Sequence, residues 1–300
     1  MTTQINRKYK LNIGDYRTGD AIEIEGLQIS FDVSKSSDNS KNTNSASIEI
    51  YNLSDDHLKL LQTEYPAAIF QVGYGEATKL LFGGQVTNLT TRKSGTDRVT
   101  QLLMGSGYTE LNHSTISKIV PAGKTVKEVA EEIAKTFPNV SRGVYNGTNL
   151  NNVVTKGYPL SGTLKESLDK LSDTYNLEWR LDADGKDGST ILYVNDRDRA
   201  QDENFAQAYI ISPESGLIEI PYYTSGDIKR SKDDKVKKHG VQFTMFLNPD
   251  VYPGEIIKLE DTEITGWFKV DAVRYSGSWR NGNWIQDVRC SVIEKVNKDG

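Results

Sequence analysis

The sequence predicts a mainly β protein with a small α/β insert, arranged as two similar antiparallel β-barrel domains flanking a two-helix α/β domain. Three observations predict it. Runs with the two-residue alternation of strands occupy both ends of the chain. The pattern near the first end recurs near the second. Between them the period changes to that of helices, twice, each time behind the same capping signature.

The repeat is read strand by strand. Ile50-Tyr51, Ser54-Asp55, Ile69 to Val72, Gln85 to Leu89, the Ser94-Gly95 turn and Val99 to Met104 form the first copy. Met245-Phe246, Pro249-Asp250, Ile256 to Leu259, Lys269 to Val273, the Ser276-Gly277 turn and Trp284 to Val292 form the second. The offset drifts from 195 to 187 to 184 to 182, the behaviour of one unit whose loops have changed length. A duplicated unit suits ring building better than catalysis, because like bodies can occupy near-equivalent places.

In order along the chain, Ile22, Ile24, Leu27, Ile29, Phe31 and Val33 alternate with polar residues, and the phase changes after Gly26, which predicts a bulge or bend. Ser34 to Ser45 contains no apolar residue at all, and reads as a long exposed hairpin loop or a segment ordered on assembly. Ala46 to Leu53 resumes as strand. Asp55 to Thr63 reads as a short helix capped by Ser54, and strands follow at 69–74, 80–91 and 98–105. Thr125 and Glu128 then form a capping box ahead of the face Val126, Val129, Ala130, Ile133 and Phe137, which Pro138 ends. Thr163 and Glu166 repeat the device ahead of Leu164, Leu168, Leu171 and Tyr175. Strands at 176–180 and 190–194, joined by a turn over 182–188, complete the insert. The charged run 196–203 reads as a linker, with strands at 208–211 and 216–220 beyond it. The domains are therefore expected at 1–117, 118–196 and 197–300.

Composition narrows the chemistry. A chain of 300 residues with 36% hydrophobic and 26% charged content is that of a folded protein. No apolar run approaches the roughly 20 residues that a membrane helix needs, and the first residues lack the layout of a secretion signal. Cys290 is alone, so no internal disulfide forms, and its strand context predicts burial. His57, His113 and His239 share no metal-binding spacing. Gly123-Lys124-Thr125 lacks the first glycine of a phosphate loop, because residue 118 is Lys118. Asp182 and Asp184 do not begin a calcium loop, since Asp187 and Tyr193 stand where Gly and Glu are required. No nucleophile elbow or Cys/His pairing is present. No cofactor and no catalytic residue are expected.

The net charge of −5 argues against affinity for nucleic acid over the whole surface. Residues 229–238 are the exception: Lys229, Arg230, Lys232, Lys235, Lys237 and Lys238 against two aspartates give +4 and leave −9 elsewhere. This segment reads as a solvated loop or as a docking loop for an acidic partner surface. Among the aromatics clustered in the second copy (Trp267, Phe268, Tyr275, Trp279 and Trp284), Trp279 lies at the Gly277–Gly282 hairpin tip and is expected to be exposed.

The run Leu247-Asn-Pro-Asp-Val-Tyr-Pro-Gly-Glu-Ile-Ile-Lys-Leu259, with Gly266 to Val273 and Ser276 to Trp284, resembles the last barrel of central baseplate hub proteins of contractile-tailed bacteriophages, which are related to the hub part of type VI secretion spike proteins. Ser47 to Ser54 and Phe82-Gly-Gly-Gln-Val86 resemble their opening barrel, and the likeness runs in order through nearly the whole chain. It implies a structural, non-enzymatic homotrimer whose six β units ring a channel. Such a ring adapts the symmetry of the tail tube protein to that of the central spike protein, contacts other baseplate proteins and lets DNA pass without specific binding. It implies a place in the virion, at the tail baseplate, after assembly in the host cytoplasm. A fused spike or lytic domain is not expected. Acidic residues are expected to line the channel, and the basic segment, residues 34–45 and Trp279 to make assembly contacts. Two alternatives remain open. A cell-wall hydrolase would show paired carboxylates in a concave site, and a carbohydrate-binding adhesin module a row of exposed aromatics near Trp279.

Overall fold

The computed structural model describes residues 6–14, 21–40, 43–61, 66–137, 139–184, 189–197, 208–224, 240–280 and 282–293. Strands predominate. The first β unit contains β1 (Arg7–Gly14), β2 (Ala21–Ile24), β3 (Ile29–Ser36), β4 (Ser45–Tyr51), the short helix α1 (Asp55–Leu60), β5 (Ala67–Tyr74), β6 (Ala77–Ser94) and β7 (Asp97–Gly105). Gly26, at φ +74, separates β2 from β3 where the alternation changes phase. Ser54 caps α1 by accepting from the His57 amide. The insert follows as α2 (Tyr108–His113), β8 (Thr115–Val120), α3 (Val126–Thr136), β9 (Val140–Asn146), β10 (Tyr158–Thr163), α4 (Leu164–Tyr175), β11 (Leu177–Ala183) and β12 (Thr190–Asp196). The second β unit contains β13 (Tyr209–Ile211), β14 (Tyr222–Thr224), β15 (Gly240–Phe246), β16 (Ile256–Glu260), β17 (Thr265–Ser278) and β18 (Trp284–Val292).

The two β units share a strand order. In the first, β4 pairs with β7, β7 with β6, and β6 with β5; in the second, β15 pairs with β18, β18 with β17, and β17 with β16, all antiparallel. Even the irregularity is repeated. The β6–β7 register slips after Val86↔Met104, and the β17–β18 register slips after Val270↔Cys290, leaving Thr87 and Asp271, 184 residues apart, as the extra residues. The Val86 amide donates to the Pro66 carbonyl at 2.8 Å, and the Val270 amide donates to that of Glu255 at 2.9 Å. These ladders match Ala67 with Ile256, an offset of 189 where the sequence pattern suggests 187; both values preserve the alternation of faces.

The units differ at their margins. β1 joins β5 antiparallel, whereas β13 joins β16 parallel. The thirteen strands form one open sheet, ordered β14-β15-β18-β17-β3-β4-β7-β6-β5-β1-β2 with β16 and β13 branching from β17. No closed barrel is found among the described ladders. Beyond the bulge, the outer edge of β17 is occupied by β3 of the other unit, so the sheet is continued rather than closed. One hydrophobic core spans both units, from Leu11, Phe31 and Phe70 to Phe243, Tyr275 and Trp284.

The insert has its own core around Val129, Ile133, Phe137, Leu168, Trp179 and Leu192. Both capping boxes form: the Thr125 hydroxyl accepts from the Glu128 amide while Glu128 accepts from the Thr125 amide, and Thr163 and Glu166 do the same. α3 ends at Thr136 with Phe137 extended; Pro138 lies outside the described residues. β9, parallel to β12, and the β8–β10 pair have no counterpart in the sequence reading, because their alternation is short and half polar. Three expectations are corrected. Asp196 is no linker residue but the buried end of β12, where its carboxylate accepts from the Thr148 and Asn149 amides. Gly216 to Ile220 makes a single bridge, Leu217↔Met245, and the strand lies at β14 instead. In the segment expected as an exposed loop, Lys35 to Asn39 and Asn44 are buried, facing the insert.

That burial is tolerated because the polar groups find partners. The Asn39 amide donates to the Trp179 carbonyl at 2.7 Å, and the Leu181 amide donates to Asn39 Oδ1 at 2.8 Å. The Asn44 side chain donates to the Leu181 carbonyl at 3.0 Å, and Lys35 pairs with Asp182 at 3.0 Å. Deeper still, Lys269 Nζ lies 2.5 Å from Glu178 Oε1, both side chains buried. Burial pushes the Glu178 carboxyl up to about 7 against the pull of the Lys269 ammonium. Its position in the repeat is informative: Lys269 corresponds to Gln85, which accepts from the Thr109 amide, so both units reach the insert from the same strand position.

Two predictions follow from this packing. A Cβ added to Gly277 would sit 2.6 Å from the Phe31 ring and 3.0 Å from Trp284, so Gly277→Ala should destabilise the protein by about 1–3 kcal/mol in urea titration. The Glu178 carboxyl, raised from 4.5, contributes stability that is fullest below about 4.5 and is lost as pH rises through about 7. The melting temperature advantage of the native protein over Glu178→Gln should therefore shrink across that window in calorimetry; an advantage that grows with pH would contradict it.

Candidate assembly edges

The site of interest is built on β17. Its residues from Thr265 to Lys269 pair on one side with β16; further along the same side, Ala272↔Ser36 through Ser278↔Ser30 pair with β3. This seven-residue ladder joins the two units. The β17–β18 hairpin then folds over the first unit. The Trp279 indole donates to the Arg7 carbonyl at 3.0 Å and stands edge-on to Tyr9, with centroids 5.4 Å apart. Arg7 donates to the Ser278 and Gly282 carbonyls and lies over the Trp284 ring. Gln28 donates to Ser278 Oγ at 2.8 Å. Trp279 is thus half-buried within the chain rather than displayed at the tip, because β1 offers it both a ring and a carbonyl.

The position equivalent to this junction in the first unit is open. Counted by the 184-residue offset, Ala272 to Ser278 correspond to Asn88 to Ser94 of β6. β5 pairs only with residues 77–85, so among the described residues no strand covers the corresponding edge of Asn88 to Ser94. The counterpart of β3 is β14. β3 flanks β4 as β14 flanks β15, and Ser34↔Ser45 corresponds to Thr224↔Gly240. Among the described residues the ladder of β14 is with β15, and Ile218, Ile220, Tyr222 and Tyr223, on β14 and the segment leading into it, are exposed. Large apolar side chains exposed on successive residues mark a candidate contact surface.

One face of the junction strands is polar. Asp32 and Arg274 pair at 2.5 Å, Glu49 and Arg92 at 2.8 Å, and Asp287 accepts from Thr244 at 2.8 Å. An open groove of about 450 Å³ crosses this face between Ser34, Gln242, Arg274 and Arg289. The residues that the sequence singled out for chemistry lie apart from one another. Cys290 is buried in the core, which holds its thiol well above the usual range. Lys124 is paired with Glu128 beside the helix cap, Asp182 with Lys35, and Asp184 with Arg142. Among the described residues no group of three His, Cys, Asp or Glu side chains is placed to hold a metal. Phe268, Tyr275 and Trp284 fill the core. Lys229, Arg230, Lys232, Lys235, Lys237 and Lys238 lie outside the described residues, as does His239. The missed signal was the unequal partnering of two equivalent strands, which emerges only once the repeat is aligned by ladder.

No protein-family model matches the sequence, and comparison with curated proteins gives no match. Solved structures do match over nearly the whole chain. A tail protein from Neisseria meningitidis MC58 superposes with a TM-score of 0.65 at 12% identity, covering 94% of this chain and 96% of its own. The prophage MuSo2 43 kDa tail protein from Shewanella oneidensis gives 0.62 at 9%, covering 96% and 98%. The E. coli c3393 protein, a type VI secretion system component similar to the T4 bacteriophage tail proteins gp27 and gp5, gives 0.64 at 11%, covering 90% and 74%. At such identities the likeness concerns architecture: this chain has the fold of phage tail proteins and of a type VI secretion component.

Proposed function

We propose that this protein is a structural hub subunit of a contractile phage tail baseplate. Three copies close into a ring of six similar β units that joins the tail tube to the central spike and leaves a channel for DNA. The observation that carries the reading is the junction inside the chain, where β17 of one unit takes β3 of the other. A protein that joins like to like within itself, and keeps one unsatisfied copy of each joining edge, is suited to head-to-tail repetition. On this reading each unit completes a barrel-like body only in the ring, and the protein takes its place in the virion after assembly in the host cytoplasm.

The fold shared with tail proteins from two bacterial genomes supports a tail role, and the titratable groups described above are spent on packing and ion pairs rather than gathered in a site. With the polar face turned to the channel, Asp32, Glu49 and Asp287 are balanced by Arg274, Arg92 and Arg289. Glu219, which accepts from the same Thr244 hydroxyl as Asp287, adds a further carboxylate to this face, so the acidic lining expected from composition stays part of the reading, a wall unsuited to holding phosphates. Basic residues 229–238 serve as the contact for an acidic neighbouring tail protein; replacing all six cations with Ser should block joining to the tail while the circular dichroism spectrum stays unchanged.

Native mass measurement on the purified chain tests the ring. Three times the 33.5 kDa chain mass is expected, with six similar lobes in averaged electron micrographs. A chain that stays monomeric at every concentration tried would overturn the reading.

A further inference from the structure

We propose that the seam between the insert and the second β unit is a proton-operated clasp, closed while Glu178 is neutral and parted as Glu178 ionises, with the insert swinging away as a folded body. The clasp is independent of the ring.

Its geometry begins with the alternation of β11. Trp179 and Leu181 turn into the insert core, so Glu178, Arg180 and Asp182 turn to the opposite face. There Asp182 holds Lys35 at the end of β3, and Glu178 holds Lys269 of β17. Glu178 is 4% exposed and Lys269 2%. Lys269 Nζ also donates to the Arg197 carbonyl at 3.2 Å, and Ser37 Oγ lies 3.4 Å from Glu178 Oε2. Burial raises the Glu178 carboxyl to about 7; Lys269 draws it down, while Asp271 of β17 and Asp38 beyond β3 push it up again. Asp38 Oδ2 is itself buried and meets no hydrogen-bond donor among the described residues. The Arg197 guanidinium lies 3.7 Å from Asp173 instead, and Lys35 is taken by Asp182. Neutral Glu178 suits this seam. Its Oε1 accepts from Lys269, its proton has Ser37 Oγ as acceptor, and Asp271 and Asp38 still offset the ammonium. Ionised Glu178 adds a third carboxylate beside Lys269, at a position closed to water.

The seam can part without unfolding either body, because the insert core is separate from the core that the β units share. Apart from Lys35–Asp182, the other bonds to β11 are uncharged ones from Asn39 and Asn44, which exchange for water at small net cost. The chain enters the insert at α2, where Gln85 holds the Thr109 amide, and that contact is the pivot.

Hydrogen exchange read by mass spectrometry on the full chain tests the clasp. The Asn39 and Leu181 amides are bonded across the seam and report its opening. Once open, Glu178 meets water and titrates near 4.5 rather than about 7, so opening releases a proton over that interval. Corrected for intrinsic exchange, protection of both amides should fall about tenfold per pH unit between roughly pH 5 and 7, and level off above. Amides of α3 and of the β17–β3 ladder should show no such slope. Glu178→Gln should abolish the slope, and Asp38→Asn, which removes a like charge, should bring the plateau to lower pH. Protection of Asn39 and Leu181 that is independent of pH would overturn the clasp. An equal slope in α3 would overturn it too, because the pH dependence would then belong to unfolding of the whole chain.

Discussion

The ladder between β17 and β3 is the constraint on which the rest of the architecture depends. It joins segments about 240 residues apart, and closing so long a loop has an entropic cost that only a continuous set of contacts can offset. Those contacts are present on both sides of the sheet. The core face stacks Phe31 edge-on against both Phe70 and Trp284, with centroids 5.0 and 5.1 Å apart, and Gly277 is the residue that admits the rings. The polar face pairs Asp32 with Arg274 across the same strands. Because that ion pair is exposed, it contributes register more than stability. Burial of the aromatic cluster supplies the stability, and it does so by merging the two units into one core.

The insert is held by a different kind of interaction, and the difference has consequences. Where the β units meet through rings and ladders, the insert meets them through buried polar groups: Asn39 and Asn44 on β11 carbonyls, Lys35 on Asp182, and Lys269 on Glu178. Hydrophobic contacts tolerate small shifts, whereas a buried ion pair or amide bond left unmatched is costly. The insert is therefore fixed in orientation. Lys269 and Gln85 occupy corresponding places in the repeat, yet one reaches β11 and the other α2. The insert thus reads the two units at equivalent points with unlike chemistry, which is how an asymmetric body can sit on a nearly symmetric pair.

Much of the fold is legible in the sequence, for identifiable reasons. Capping boxes at Thr125 and Thr163 are local, so a few adjacent residues determine them. The repeat is legible because strands in equivalent places need the same alternation and the same turn. What escaped was set by partners far away. A run of Ser, Asn, Asp and Lys is ordinarily solvated, and Asn39 and Asn44 are buried because β11 presents its carbonyls to them. Asp196 reads as linker charge until the Thr148 and Asn149 amides converge on it. Trp279 reads as an exposed hairpin tip until β1 supplies Tyr9 and the Arg7 carbonyl. In each case local composition is overruled by a distant donor, acceptor or ring.

The open edges pose the complementary problem, since their meaning depends on comparison rather than on contact. By itself, the Asn88–Ser94 stretch is a polar, partly charged strand end of the kind that soluble proteins expose safely, with Lys93 and Arg92 discouraging casual pairing. By itself, β14 is three residues at the margin of a sheet. Only the internal junction gives them a shared significance, because it shows the same two positions occupied once within the chain. In the proposed ring, the β17–β3 junction sets the angle between neighbouring units. Closure follows when that angle, applied inside and between chains alike, divides a full turn evenly.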